Sequence, residues 1–315
     1  MSLSTLSVSK EMRANMLANE TCRACCLRSA LNKADQIPLD PQTIEQIKKE
    51  IREAAAGCAG RESAPSMTAV LLNVIRKYQD IDAPMLEAKK RFNRLMLSVE
   101  EKVMGIVRAS GDPIRRAIQF AMTGNYIDFG VIADVSEKKL MELMEESAGI
   151  GIPDRVLQSF KEELASARNL LYITDNCGEI VMDKILIRLL LEMYPGLQIT
   201  VLVRGFNIQN DATIEDAEDI GLTSLVPVTG NGVKVPGTPL DGCLRVPPET
   251  EALIRAADIR IAKGQGNFET LCGTGMNTFY MFLCKCDTFM DRFGMARFSG
   301  VLINEKDLDY LTSGS

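Results

Sequence analysis

Apolar residues recur at three- and four-residue spacing through the first half of the chain. Residues 66–75 (SMTAVLLNVI) form one such stretch and Pro84 through Val107 another. Ser136 to Met144 continues the pattern behind Asp134, which is placed to act as an N-cap. Strand-like alternation is nearly missing here, so residues 1–168 read as a helical domain. From Asn169 the texture changes to short apolar runs separated by helical stretches. Residues 170–174 (LLYIT) predict a buried strand, followed by a helix over about 179–194. Residues 198–204 (QITVLVR) predict a second strand, with a helix starting near Thr213. The run at 225–228 (LVPV) is a weaker third strand, and Pro248 suits the first turn of another helix. Further strands are expected over 258–262, 279–284 and 301–303, the last at an edge. Strand–helix–strand repetition predicts a mostly parallel sheet covered on both faces, a Rossmann-like three-layer α/β/α domain over 169–315. Residues 230–248 are rich in Gly and Pro and read as a long loop, a kind that is often functional.

Composition narrows the chemistry. The net charge of −6 carries no basic bias, so nucleic acid is not an expected partner. No apolar run approaches the ~18 residues needed to span a bilayer, and the first residues (MSLSTLSVSKEMR) lack an apolar signal core. A cytoplasmic protein without membrane association is the expectation. Nine cysteines without an export signal then read as reduced thiols, most of them small buried hydrophobes. Histidine is absent. That removes Ser-His-Asp and Cys-His catalysis, a His base, and imidazole-dependent zinc sites. Carboxylate and amide oxygens remain, and they favour hard cations such as Mg or Mn.

Open α/β sheets bind ligands at the carboxyl ends of their strands. The first strand ends in Asp175-Asn176-Cys177-Gly178-Glu179. The second ends in Arg204-Gly205, leading to Asn207, Asn210 and Asp211. The fourth ends in Lys263-Gly264-Gln265-Gly266-Asn267, and the fifth in Lys285. Acids, amides, glycines and cations therefore share one rim. Asp175, Asn176 and Asp211 suit a divalent-metal site for phosphoryl transfer. Arg204 and Lys263 can balance phosphate charge, Gly264 and Gly266 allow backbone approach, and Asn267 can cap a helix. Each element also has a plain structural reading. Asp175-Asn176 can cap the next helix, Asp211-Ala212-Thr213 likewise, and KGQGN can be a tight turn. No GxGxxG follows the first strand, which disfavours a dinucleotide site.

The combination TDNCGE (174–179), NDATIEDA (210–217), KGQGNFE (263–269) and GNYIDFG (124–130) resembles the damage-control phosphatase family. DAPMLEAKKRFN (82–93) resembles that family's Asp-Pro…Lys segment, with Ala83 inserted before Pro84. The resemblance implies a metal-dependent phosphatase of small phosphorylated metabolites, sugar phosphates or nucleotide-related phosphates, with Mg, Mn, Co or Ni as the ion. It implies Asp175, Asn176 and Asp211 as metal ligands and Lys263, Gly264 and Asn267 as phosphate contacts. Gly124, Asn125 and Asp128 would form a wall of the site supplied by the helical domain. Cys22-Arg23-Ala24-Cys25-Cys26 resembles the Cys-x-x-Cys start of the stand-alone prokaryotic branch; metal binding with Cys58, redox chemistry and packing all remain open for it. So do the nucleophile, a metal-activated water or Asp175 itself, and the part of Glu179, a general base or a first-turn helix charge. A kinase or nucleotidyl transferase is disfavoured because no Walker motif is present. The alternative from another class is a non-catalytic phosphometabolite-binding or redox-sensing module.

Overall fold

The structure is a computed structural model that describes residues 16–58, 60, 62–124, 140–142, 149–294 and 296–308. Described residues before 169 are helical or irregular. Helices α1 (Glu20–Asp35), α2 (Pro41–Gly57) and α3 (Ala64–Arg76) come first. Each starts on a side-chain cap, with Asn19, Asp40 and Ser63 accepting from Cys22, Thr43 and Ser66 N–H, as short polar residues do at exposed first turns. They share a core of their own built on Ile47, Ile51, Leu71 and Ile75.

The long helical pattern from Pro84 to Val107 resolves into a 3₁₀ turn (Ala83–Met85), α4 (Leu86–Leu97) and α5 (Glu100–Ala109). The break falls at Ser98-Val99, where the Ser98 hydroxyl donates to the Leu95 carbonyl instead of the helix running on. Helices α6 (Pro113–Thr123) and α7 (Asp154–Ser166) complete this part. The proposed N-cap at Asp134 lies outside the described residues.

The remainder alternates as the apolar runs predict: β1 (Asn169–Ile173), α8 (Glu179–Met193), β2 (Gln198–Val203), α9 (Ile214–Asp219), β3 (Val228–Gly230), α10 (Pro248–Ala256), β4 (Ile259–Lys263), α11 (Gly264–Leu271), β5 (Thr278–Leu283), α12 (Asp287–Phe293) and β6 (Gly300–Asn304). The sheet order is β3-β2-β1-β4-β5-β6, with every pair parallel except β5–β6. Alternate strand residues enter opposite layers, the period-two consequence of the pleat. Leu170, Tyr172, Val201, Ile261 and Phe279 face α4 to α9 in one continuous core that draws on both halves of the chain. Leu171, Ile173, Leu202, Ala262 and Tyr280 face α10, α11 and α12 in the other. Among the described residues no helix is long and apolar enough to cross a membrane.

Two expectations shift. The third strand begins at Val228, not Leu225: residues 222–224 form a 3₁₀ turn, Leu225 is exposed, and Pro227 offers only its carbonyl, to Val201 N–H. KGQGN makes the tight strand-to-helix turn, with α11 starting at Gly264 directly after β4, but Asn267 sits inside that helix instead of capping it.

Candidate active site

From β1 the chain builds outward through β2 to β3, and from β4 it builds the other way through β5 to β6. The gap beyond the carboxyl ends of β1 and β4 is thus the topological switch point where such sheets take ligands. Asp175 follows β1, and Gly264 follows β4 without a spacer. Their approach requires glycine: Gly264 has φ +80°, and a Cβ there would lie 2.1 Å from Asp175 Oδ2.

Backbone pairing assembles the rest. Ala212 N–H donates to the Asp175 carbonyl at 2.8 Å, Cys177 N–H to that of Asn210 at 2.9 Å, and Arg204 N–H to that of Ala212 at 2.9 Å. These bonds place the side chains of Asp175, Asp211 and Arg204 together. Arg204 Nε donates to Asp211 Oδ2 at 2.5 Å and Nη2 to Asp175 Oδ1 at 3.3 Å, while Asn176 Nδ2 donates to Asp175 Oδ2 at 2.8 Å. Neither acid is a helix cap. Gly178 precedes α8 with no side-chain cap, and α9 is capped by Thr213, whose N–H and hydroxyl both donate to Asp216 Oδ2. The capping reading of both acids is excluded by this geometry.

Burial pushes the Asp175 carboxyl well above the usual range, and repulsion from Asp211 and Glu179 adds to it against Arg204 and Lys263. Asp211 is also raised by burial, with Arg204 and Lys89 opposing. Two acids thus share one guanidinium.

Lys263 and Asn267 occupy different ground from the rim positions expected of phosphate contacts. Lys263 is fully enclosed and its ammonium donates to the Ala121 carbonyl, Glu179 Oε1 and Asp183 Oδ1 at 2.8, 2.5 and 2.7 Å. All three of its protons are committed. Asn267 is equally enclosed: Nδ2 donates to the carbonyls of Thr174 and Lys263, and Oδ1 accepts from Arg204 Nη1 and the Thr238 hydroxyl. Arg204 is itself buried and spent on Asp175, Asp211 and Asn267, with Thr238 at 3.4 Å. In this arrangement the three residues hold the acids in place, and a phosphate contact would require each to release a protein partner. Asn125 and Asp128 lie outside the described residues, although Gly124 abuts Glu179.

Five further residues belong to the assembly. Lys89 and Asn93, one turn apart on α4, reach Asp216 at 2.8 and 3.0 Å. Lys89 also donates to Asn207, and Asn93 Oδ1 accepts from Gly178 N–H at 2.7 Å. Gly178 (φ +73°) allows this packing, since a Cβ would fall 2.3 Å from the Phe92 ring. Asp183 lies one turn beyond Glu179 on α8, bonded by Lys263 and the Tyr172 hydroxyl. An acid inside the apolar run IVMDKILI, at i+4 from another, was a readable signal for it. Thr238 comes from the Gly/Pro-rich loop, which carried a signal as a whole but none for one residue.

Asp175, Asn176 and Asp211 offer two acids and an amide, oxygen donors of the kind that a hard divalent cation takes. With all four ionised, Asp175, Asp211, Glu179 and Asp183 would set four negative charges against Arg204 and Lys263, a local net of −2 (2 − 4), while Lys89 and Asp216 cancel. Glu179 Oε2 and Asp183 Oδ2 are buried without a hydrogen-bond donor among the described residues. Such excess is costly unless a cation or protons answer it. All nine cysteines are free, and among the described residues no three or more Cys, Asp or Glu side chains form a metal-binding group, Cys22, Cys25 and Cys58 included. Cys26 accepts from the Thr68 hydroxyl, and Cys22 lies 3.7 Å from Thr288 Oγ1.

The damage-control phosphatase ARMT1-like domain matches residues 18–299, nearly the whole chain. The chain belongs to that family. A damage-control phosphatase of Pyrococcus horikoshii is 29% identical, covering 83% of this chain and 90% of that protein. One of Archaeoglobus fulgidus is 26% identical over 86% and 93%, and an uncharacterized protein of Methanocaldococcus jannaschii is 26% identical over 90% and 93%. The crystal structure of a DUF89 family protein from Pyrococcus horikoshii superposes with a TM-score of 0.79 at 26% identity, covering 91% of this chain and 98% of that one.

Proposed function

We propose that this protein is a metal-dependent phosphatase hydrolysing phosphate monoesters of small metabolites, sugar phosphates or nucleotide-related phosphates, in a damage-control role. The observation that carries this reading is the buried Asp175–Arg204–Asp211 group at the switch point, with its uncompensated negative charge. Membership of a family with relatives named damage-control phosphatase supports it. Asp175, Asn176 and Asp211 are the residues to hold the ion, which would be Mg, Mn, Co or Ni. When bound, such an ion polarises a phosphoryl group and makes water more acidic.

The chain's own residues do the rest. Arg204 fixes the separation of the two acids, and Asn267 and Thr238 fix Arg204. Lys263 ties Glu179 and Asp183 to the end of α6, so the negative wall cannot relax outward. An attacking water is favoured over Asp175 as nucleophile, because a carboxylate that holds the ion would have its charge committed to it. A covalent adduct trapped on Asp175 would overturn that assignment.

The test uses p-nitrophenyl phosphate with the metal-free protein supplemented by Mg, Mn, Co or Ni. Hydrolysis with at least one ion is expected, with a loss of at least about 100-fold in Asp175→Asn and in Asp211→Asn at unchanged secondary structure. Phosphate binding without turnover under every ion would instead support the non-catalytic binding module.

A further inference from the structure

A second feature lies one residue from Asp211. A cavity of about 240 Å³ opens between α1, α3, the 3₁₀ turn and the β2–α9 loop, lined by Lys33, Leu72, Ile81, Asp82, Met85, Gln209 and Asn210. Its floor of Leu72, Ile81 and Met85 is apolar. Three side chains on its wall are uncommitted: among the described residues, no acid pairs with the half-buried Lys33 ammonium and no group bonds the amides of Gln209 and Asn210. Asp82 does not share that freedom, since Arg76 and Lys234 hold both its oxygens. Lys33 and Asp82 are the charged residues that line the cavity, and with Asp82 answered by Arg76 and Lys234 the Lys33 ammonium is, among the described residues, the charge left without a partner there.

One backbone segment joins the cavity to the acid pair. Asn210 lines the cavity, while its carbonyl accepts Cys177 N–H and the next residue is Asp211, about 3.8 Å away along the chain. Gln209, also on the wall, is held at φ +50°, a left-handed conformation that a non-glycine residue adopts at a cost. The 3₁₀ turn that forms another side leads directly into α4, whose Lys89 and Asn93 reach Asp216 and Gly178. The volume is below the ~300–1,000 Å³ of drug-sized pockets, so the occupant is a small metabolite and not a dinucleotide.

We propose that this cavity takes the distal end of the substrate, and that this end is anionic: a phosphate ester bearing a second phosphate or a carboxylate. Lys33 pairs with the second anion, Gln209 and Asn210 bond the hydroxyls between, and the apolar floor carries the carbon chain. This rests on the phosphatase reading for the identity of the first phosphate, but the binding preference is measurable without turnover.

The experiment compares matched pairs by calorimetry in the presence of Mg or Mn: glycerol 3-phosphate against glycerate 3-phosphate, and fructose 6-phosphate against fructose 1,6-bisphosphate. The full-length protein is expected to bind the two-anion member of at least one pair about tenfold or more tightly, the value of one desolvated charge-assisted contact. Lys33→Met should bring that ratio to within about twofold, and Lys33→Arg should retain most of it. No preference in the unaltered protein, a preference that survives Lys33→Met, or no binding of any of the four overturns the proposal. If p-nitrophenyl phosphate is hydrolysed without such a preference, the cavity assignment alone falls. If the Lys33-dependent preference is present without hydrolysis of any ester, the cavity assignment stands and the hydrolase reading falls.

Discussion

Two regions of the same rim look alike in composition and behave differently in space. The β1–β2 side carries Asp175, Asn176 and Asp211; the β4 side carries Lys263, Gly264 and Asn267. On the first, Asn176 is half-buried, Asp175 keeps a little exposure, and two acids divide one guanidinium. On the second, Lys263 and Asn267 are sealed and every hydrogen-bonding valence of their polar ends is filled from within the protein. Each side sets one cation against two acids, Arg204 against Asp175 and Asp211, and Lys263 against Glu179 and Asp183, so the difference lies in exposure and not in charge. The first keeps polar atoms near solvent; the second has its cation and amide sealed against the first.

The strongest way to break this contrast is Lys263→Met. It would leave Glu179 and Asp183 buried without their cation, and removing one partner of a buried pair costs about 3–5 kcal/mol. Urea unfolding should show that loss. Burial alone would lower the Lys263 pKa, but Asp183 and Glu179 outweigh it and hold it above the ordinary lysine value. A cation with a raised folded-state pKa contributes stability in full below its unfolded value and loses it as pH rises through the folded one. The deficit of the variant should therefore shrink under strongly alkaline conditions, and it should shrink also as pH falls, because Asp183 is raised to about 6 even beside Lys263 and takes up a proton more readily without it. A deficit below about 1 kcal/mol would show that Lys263 is not the tie described.

Ion binding probes the other side. A divalent ion at 100 times its Kd should stabilise the protein by about 2.7 kcal/mol, read as a rise in Tm. Asp211→Asn should abolish the rise, because it removes one of the two acids whose charge the ion answers. An equal rise in both proteins would place the ion elsewhere. Gly264→Ala comes next, at about 1–3 kcal/mol for a left-handed residue given a side chain. Its Cβ would meet the Asp175 carboxylate, so ion affinity should fall along with stability. Stability lost with ion affinity intact would mean that Asp175 does not depend on this contact.

Much of this was legible in the chain, for identifiable reasons. Strands β1, β2 and β5 are buried on both faces for most of their length and so appear as apolar runs, and β4 (IRIAK) is legible in spite of Arg260, whose guanidinium is bonded to backbone carbonyls. The switch point follows from their order, which puts Asp175 and Lys263 on neighbouring strands. What composition could not convey was which polar residue has its valences filled. Lys263 and Asn267 read as phosphate contacts because only the folded chain brings Ala121, Glu179, Asp183 and Thr238 to them. The segment 82–93 stood out by resemblance alone, and what Lys89 and Asn93 do in it stayed hidden for the same reason, as their partners lie more than 100 residues away. LVPV misread because Pro227 ends one local geometry and begins another. KGQGN left two readings open, because glycines that admit a close approach look like those that make a turn.

The smallest expected effect discriminates most finely. The Thr238 hydroxyl donates to Asn267 Oδ1 at 2.8 Å and lies 3.4 Å from Arg204 Nη1. Thr238→Val keeps the shape and removes only that group. Asn267 Oδ1 still accepts from Arg204, so no buried group is orphaned and the stability cost should be only about 1 kcal/mol. If the sealed side exists to hold Arg204 between the two acids, ion affinity should nevertheless fall about tenfold, as it does when outer partners of metal ligands are removed. Thr238→Ser supplies the control, because it discards the methyl and keeps the hydroxyl: packing should suffer and ion affinity should not. Ion titrations followed by Tm separate the two variants. Equal ion affinity in Thr238→Val and the unaltered protein would mean that Arg204 is fixed by Asp175, Asp211 and Asn267 alone, and that the Gly/Pro-rich loop contributes packing and nothing to the ion.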